Sequence, residues 1–164
     1  MNTTPPRHSV SVSGVIPDDH GRVLLIHRRD NQHWEPPGGV LELDETIHDG
    51  LRREIREETG LDIEPDALTG VYKNMPRGII ALVFRCKITG GHLTPNDEVT
   101  AFHWADQNDI RQLTSEAYAV RLLDALREGT RDQPRSYRTR RHARAIDQPI
   151  RSSILARPGL PVSR

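Results

Sequence analysis

At 164 residues the chain is long enough for one ordinary domain with a proper core. Apolar residues make up 35% and charged residues 28%, a polar balance that leaves room for a disordered portion. No run approaches the ~18 apolar residues of a membrane span, and the single cysteine, Cys86, rules out an intrachain disulfide and fits a reducing, cytoplasmic setting.

Residues 1–8 read as a loose leader with no apolar signal segment. Ser9 to Ile16 alternates Val10 and Val12 with small residues and suits a strand. A turn over residues 17–21 leads into Val23-Leu24-Leu25-Ile26, an apolar run that reads as a strand buried on both faces. The two strands are expected to form a hairpin, and Asp30 to Gly39, with two prolines and two glycines, a loop. Thr46 followed by Asp49 fits a capping box, and Gly60 fits the residue just past a helix end, so a helix is predicted over 47–59. Gly50 inside it costs about 1 kcal/mol relative to alanine unless something approaches closely there. Strands are predicted over 67–73, from Ile79 to Ile88, and from Glu98 to Trp104 with Phe102 and Trp104 on one face. A short helix over 106–113 and a longer one over 115–127 follow, the latter with Tyr118, Leu122, Ala125 and Leu126 on one side. Strands and helices mix without a regular β-α-β alternation, which points to an α+β architecture with a mixed sheet.

The formal net charge of zero hides an asymmetry. Residues 1–129 hold 14 Lys/Arg and 21 Asp/Glu, whereas residues 130–164 hold 9 Arg and 2 Asp. An acidic body with a basic tail implies two units with different jobs, and residues 129–164 lack periodicity and read as a disordered or loosely attached extension. Its arginines suit nucleic acid or another acidic partner, although Tyr137 is the one aromatic among them. An appendage that folds back on the acidic body fits equally.

The informative segment is the predicted helix and its approach. At about 100° per residue, Glu54, Glu57 and Glu58 occupy an arc of about 100° on one face. Three like charges so close repel one another. An oxygen-loving divalent cation would relieve the conflict, as would simple solvation of an acidic face. Leu51 and Ile55, one turn apart, can pin the helix to a core beside this stripe. Cys86, inside an apolar strand, reads as a core thiol, and the eight histidines show no zinc spacing.

Gly39, Glu45, Arg53, Glu54, Ile55, Glu57, Glu58, Gly60 and Leu61 fill every fixed position of G-x5-E-x7-R-E-U-x-E-E-x-G-U, with U an aliphatic residue. The segment resembles the box of the Nudix hydrolase family, and the resemblance covers residues 9–128. It implies a Nudix-like α/β/α sandwich and a magnesium-dependent hydrolase, manganese being an alternative metal. Water would attack phosphorus in a nucleoside diphosphate linked to another moiety. By the same resemblance Glu57, Glu58 and the Gly38 carbonyl would be metal ligands. Glu54 would be a ligand or the general base, and Glu45 would support the site with Arg53. Glu98, with Asp97 as rival, is the candidate for a further loop carboxylate. Arg28 and Arg29 are candidates for substrate phosphate, and a solvated strand end explains them as well. Two other functions stand beside the hydrolase of small nucleotides: a non-catalytic nucleotide sensor, and an RNA-end pyrophosphohydrolase using the tail. No membrane partner is expected, and a homodimer is compatible with the sequence.

Overall fold

The computed structural model describes residues 4–127 and the backbone of residues 136 and 137. In chain order the elements are β1 (Ser9–Val15), β2 (Val23–Arg28), β3 (Trp34–Glu35), β4 (Gly38–Val40), α1 (Ile47–Thr59), β5 (Leu61–Asn74), β6 (Ile79–Gly91), β7 (Val99–Ala105), α2 (Gln107–Leu113), α3 (Glu116–Leu126) and β8 (Ser136–Tyr137). They form a five-stranded sheet in the order β4-β1-β6-β5-β8 and a three-stranded sheet in the order β3-β2-β7. Parallel pairing of β1 with β6 and antiparallel pairing of β5 with β6 make the larger sheet mixed.

Two apolar clusters explain the layering. Val15, Val23, Leu25, Val83, Ile110 and Leu122 pack together toward α2 and α3. Val12, Ile16, Leu24, Leu51, Ile55 and Cys86 pack together under α1. Successive side chains of a strand point to opposite faces, so Val23 and Leu25 serve one cluster and Leu24 the other. This is the strand buried on both faces that the run Val23–Ile26 predicts. The result is the expected α/β/α sandwich, with α1 on one side and α2 and α3 on the other.

Three local expectations change. β1 and β2 do not form a hairpin: Pro17 bridges Val23 and the Leu24 N–H donates to Ile16 O at 3.0 Å, then the strands part. Both edges of β1 are occupied, by β4 and β6, while β2 pairs with β3 and β7. Pro17 also has no N–H with which to extend a ladder. Residues 30–39 are not wholly loop, since β3 and the start of β4 lie within them. β5 begins at Leu61 rather than Ala67, because register shifts near Asp62, Pro65 and Leu68 let the strand pass Pro65. Of the tail, only the backbone of Ser136–Tyr137 is described, paired in parallel with Val71 and Tyr72 of β5. The expectations of disorder and of nucleic-acid binding for residues 129–164 otherwise lie outside the described residues.

Helix α1 starts and stops where its caps dictate. The Thr46 side chain accepts from the Asp49 amide, and Gly60 adopts φ 78°, donating its N–H to Arg56 O. Beyond Gly60 the helix end is gripped from outside. Asn96 donates through Nδ2 to Glu57 O at 2.9 Å and Glu58 O at 3.1 Å, while its Oδ1 accepts from the Glu98 and Val99 amides at 2.9 Å. Carbonyls left unpaired at the helix terminus are thereby satisfied, and the loop before β7 is fixed to α1.

Candidate active site

The three carboxylates that share one arc of α1 have different surroundings. Leu51 and Ile55 are fully buried, and the next inward position on that stripe is Glu58, only 2% exposed. A buried charge must be paired and hydrogen-bonded. Glu58 Oε1 accepts from Arg28 Nη1 at 2.6 Å, and Oε2 accepts from the Gly38 amide at 2.7 Å. Burial still dominates and pushes the Glu58 carboxyl up to about 7, against the opposing pull of the Gly38 amide and Arg28. Gly38 holds φ 150°, in the range that favours glycine, and a Cβ there would collide with Val12 and Ser13 of β1.

Arg53 organises the rest. Its Nε and Nη2 donate to the two oxygens of Glu45 at 2.9 and 2.7 Å. Its Nη1 donates to Glu54 Oε1 at 2.9 Å and Glu57 Oε2 at 3.2 Å. The bond from Arg53, with help from the Glu42 amide, holds the Glu45 carboxyl down at about 2. Glu54 is driven the other way, upward, by burial. Glu57 points out and is 61% exposed at its side chain. The space over Gly50 is filled by the Leu41 side chain and the Glu45 carboxylate, which accounts for glycine at this helical position.

Gly39 forms the opposite wall. A Cβ there would overlap both oxygens of the Glu54 carboxylate. Gly39→Ala is therefore expected to displace Glu54, lowering kcat about 10-fold or more while the melting temperature changes by only a few degrees. Steady-state kinetics beside a thermal melt measures both; unchanged kcat would show that the Glu54 position is immaterial.

Arg28 and Arg29, at the end of β2, line a hollow of about 350 Å³ with Asp30, Asp97 and Glu98. The structure thus gathers both arginines and Glu98 around one hollow, and joins that hollow to Glu58 through Arg28. Arg28 is already engaged: besides Glu58 it donates to Asp30 Oδ1 at 3.2 Å and lies 3.7 Å from Glu35 and from Glu98. Arg29 donates to Asp97 O at 2.8 Å, so it secures the loop that carries Glu98. Sequence reasoning missed Asn96 and Glu35. Asn96 stands in a turn-rich stretch whose composition signals a bend, not a clip. Glu35 lies in the segment expected to be loop.

Hard oxygen donors are what a magnesium ion prefers, and the carboxylates of Glu54 and Glu58, with Gly39 leaving room at Glu54, match that chemistry. Among the described residues, however, no three acidic, histidine or cysteine side chains are placed to hold a metal ion as they stand. Arg28 and Arg53 take up the carboxylate oxygens.

Comparison with known proteins places this geometry. The NUDIX domain family model matches residues 7–126. A MutT-like protein of Streptomyces ambofaciens is 56% identical over 124 residues, which are 76% of this chain and 80% of that protein. An ADP-ribose pyrophosphatase of Methanocaldococcus jannaschii is 37% identical over 112 residues, 64% of this chain and 66% of that protein. Among solved structures, an ADP-ribose pyrophosphatase from Streptococcus suis superposes with a TM-score of 0.67 at 22% identity, covering 79% of this chain and 98% of that one. The last likeness concerns the fold alone. With its complete helix motif and a family match across nearly all described residues, the chain belongs to the Nudix family and is a pyrophosphohydrolase.

Proposed function

We infer that this enzyme hydrolyses the phosphate–phosphate bond of a nucleoside diphosphate linked to a further group, and that it does so with magnesium. The carrying observation is Glu58, a buried carboxylate at the end of the core-facing stripe of α1, held between Gly38 and Arg28, the latter also lining the hollow beside Glu98. Glu57, Glu58 and the Gly38 carbonyl would hold the ion, with Arg28 and Arg53 yielding carboxylate oxygens to it. When bound, magnesium offsets charge on the phosphate oxygens and acidifies water. Glu54 takes the proton from the attacking water, a role favoured by the burial that makes this carboxyl more basic than usual. Arg53 fixes Glu54 and Glu45 in register. Arg28, once released from Glu58, and Arg29 face the substrate phosphates. Water attacks phosphorus in line, the P–O bond to the bridging oxygen breaks, and that oxygen leaves with the remainder of the substrate. No protein nucleophile is needed, and Cys86 is buried with its thiol pushed up to about 12.

The test is a panel of nucleoside triphosphates, ADP-ribose and nucleotide sugars, with phosphorus NMR of the products in magnesium and in chelator. At least one member is expected to give a mononucleotide in magnesium and none in chelator. A complete chain that hydrolyses none of them while binding a nucleotide would be a sensor instead.

A further inference from the structure

Helix α3 carries a cation without a counter-charge among the described residues. Arg121 is partly buried, and its guanidinium carbon lies 5.3 Å from the Tyr72 ring centroid and 5.4 Å from that of Tyr118. These ring faces offset part of the cost of burying the charge, yet no carboxylate or carbonyl of the described residues pairs with it. Desolvation draws its pKa downward, with only the two tyrosines opposing. Across the Tyr118 hydroxyl stands the Glu35 carboxyl. Glu35 lies 3.7 Å from Arg28, which in turn holds Glu58 at 2.6 Å. A continuous line of polar side chains therefore joins the carboxylate helix to Arg121.

We propose that Arg121, Tyr118 and Glu35 form a subsite for the nucleobase of a 6-oxopurine nucleotide. This inference rests on the reading of the enzyme as a nucleotide pyrophosphohydrolase. A free guanidinium fork is satisfied by two neighbouring acceptors, which guanine and hypoxanthine present as O6 and N7. In adenine N7 sits beside the N6 donor, so one arm of the fork meets a hydrogen instead of a lone pair. Glu35 complements the choice, since its carboxylate accepts from the N1–H of the oxopurine ring. A phosphate group fits less well, because Glu35 would repel it.

Binding of mononucleotides tests this without any turnover, because GMP and AMP contain no diphosphate bond. In magnesium buffer the complete chain is expected to bind GMP about tenfold or more tighter than AMP. Arg121→Met should abolish that preference and leave affinity for inorganic pyrophosphate unchanged. If that variant is not folded by thermal melt, Arg121→Lys, which keeps the charge but lacks the fork, should erase the preference in the same way. Equal affinity of the native chain for GMP and AMP, no binding of either, or a preference that survives both substitutions overturns the proposal. So does a parallel loss of GMP, AMP and pyrophosphate affinity, which would make Arg121 a phosphate contact. Hydrolysis of the substrate panel is scored separately: GMP selectivity without turnover retains the subsite and removes the hydrolase reading, while turnover without selectivity removes the subsite alone.

Discussion

Glu58→Gln is expected to lower kcat about 10³-fold or more, a loss at least as large as that of one preorganised electrostatic group, in a protein that still folds. Glutamine preserves the shape and one acceptor for the Gly38 amide, so the end of α1 keeps its place. Arg28 loses its partner at 2.6 Å but retains Asp30, with Glu35 and Glu98 nearby, so it is not left as an isolated buried charge. What disappears is the anionic oxygen pair proposed to hold the metal. Thermal melts distinguish this from damage to the fold: added magnesium at pH 8 should raise the melting temperature of the native chain and have little effect on the variant. A variant with near-normal turnover would refute the role of Glu58.

The same residue sets an expected pH dependence in metal-free buffer. Burial pushes its carboxyl up to about 7 in the folded protein, against 4.5 for an ordinary glutamate. Between those values the folded state retains a proton that the unfolded chain has lost, so stability falls as pH rises through this window. The contribution is fully present below about 4.5 and gone above about 7, amounting to an order of 3 kcal/mol. Glu35 and Glu54 are shifted in the same direction by burial, so the native slope contains their contributions too. Subtracting the Glu58→Gln profile isolates Glu58, and identical profiles would show that Glu58 does not titrate in the window.

How much of this was legible beforehand depends on the range of the interactions involved. Helix α1 could be placed to the residue because Thr46 and Gly60 mark its ends through contacts within a turn. The apolar run of β2 announced burial on two faces because alternation along a strand is local. β3 and β4 were hidden because they are short segments, ordered by pairing with β2 and β1, amid turn-forming residues. The arc of Glu54, Glu57 and Glu58 followed from helical geometry, but the partner of each did not. Arg28 reaches Glu58 across 30 residues, and Asn96 reaches the α1 carbonyls across 38 and 39. Arg121 carries no signal in the sequence, since its position between Tyr72 and Tyr118 depends on α3 packing against β5.

Arg53→Lys is expected to cost about 10²-fold in kcat, because lysine keeps the charge and discards the geometry. The guanidinium spans a two-oxygen contact with Glu45 and, from its other arm, reaches Glu54 and Glu57. A point-like ammonium on a flexible stem can neutralise one of these carboxylates, but it cannot hold Glu45 and Glu54 in a fixed relation. Glu54 is then free to leave its seat over Gly39, and small displacements of a catalytic group have large kinetic effects. The loss should fall on kcat with little change in KM, since Arg53 has no place at the substrate. Glu45→Gln, which weakens the opposite end of the same contact, should produce a smaller version of this defect. Combined with Arg53→Lys it should add much less than its separate effect, as expected for two residues acting through one arrangement. Full additivity in that double-mutant cycle would show that Glu45 and Arg53 act independently, and a kcat for Arg53→Lys close to the native value would show that charge alone suffices at position 53.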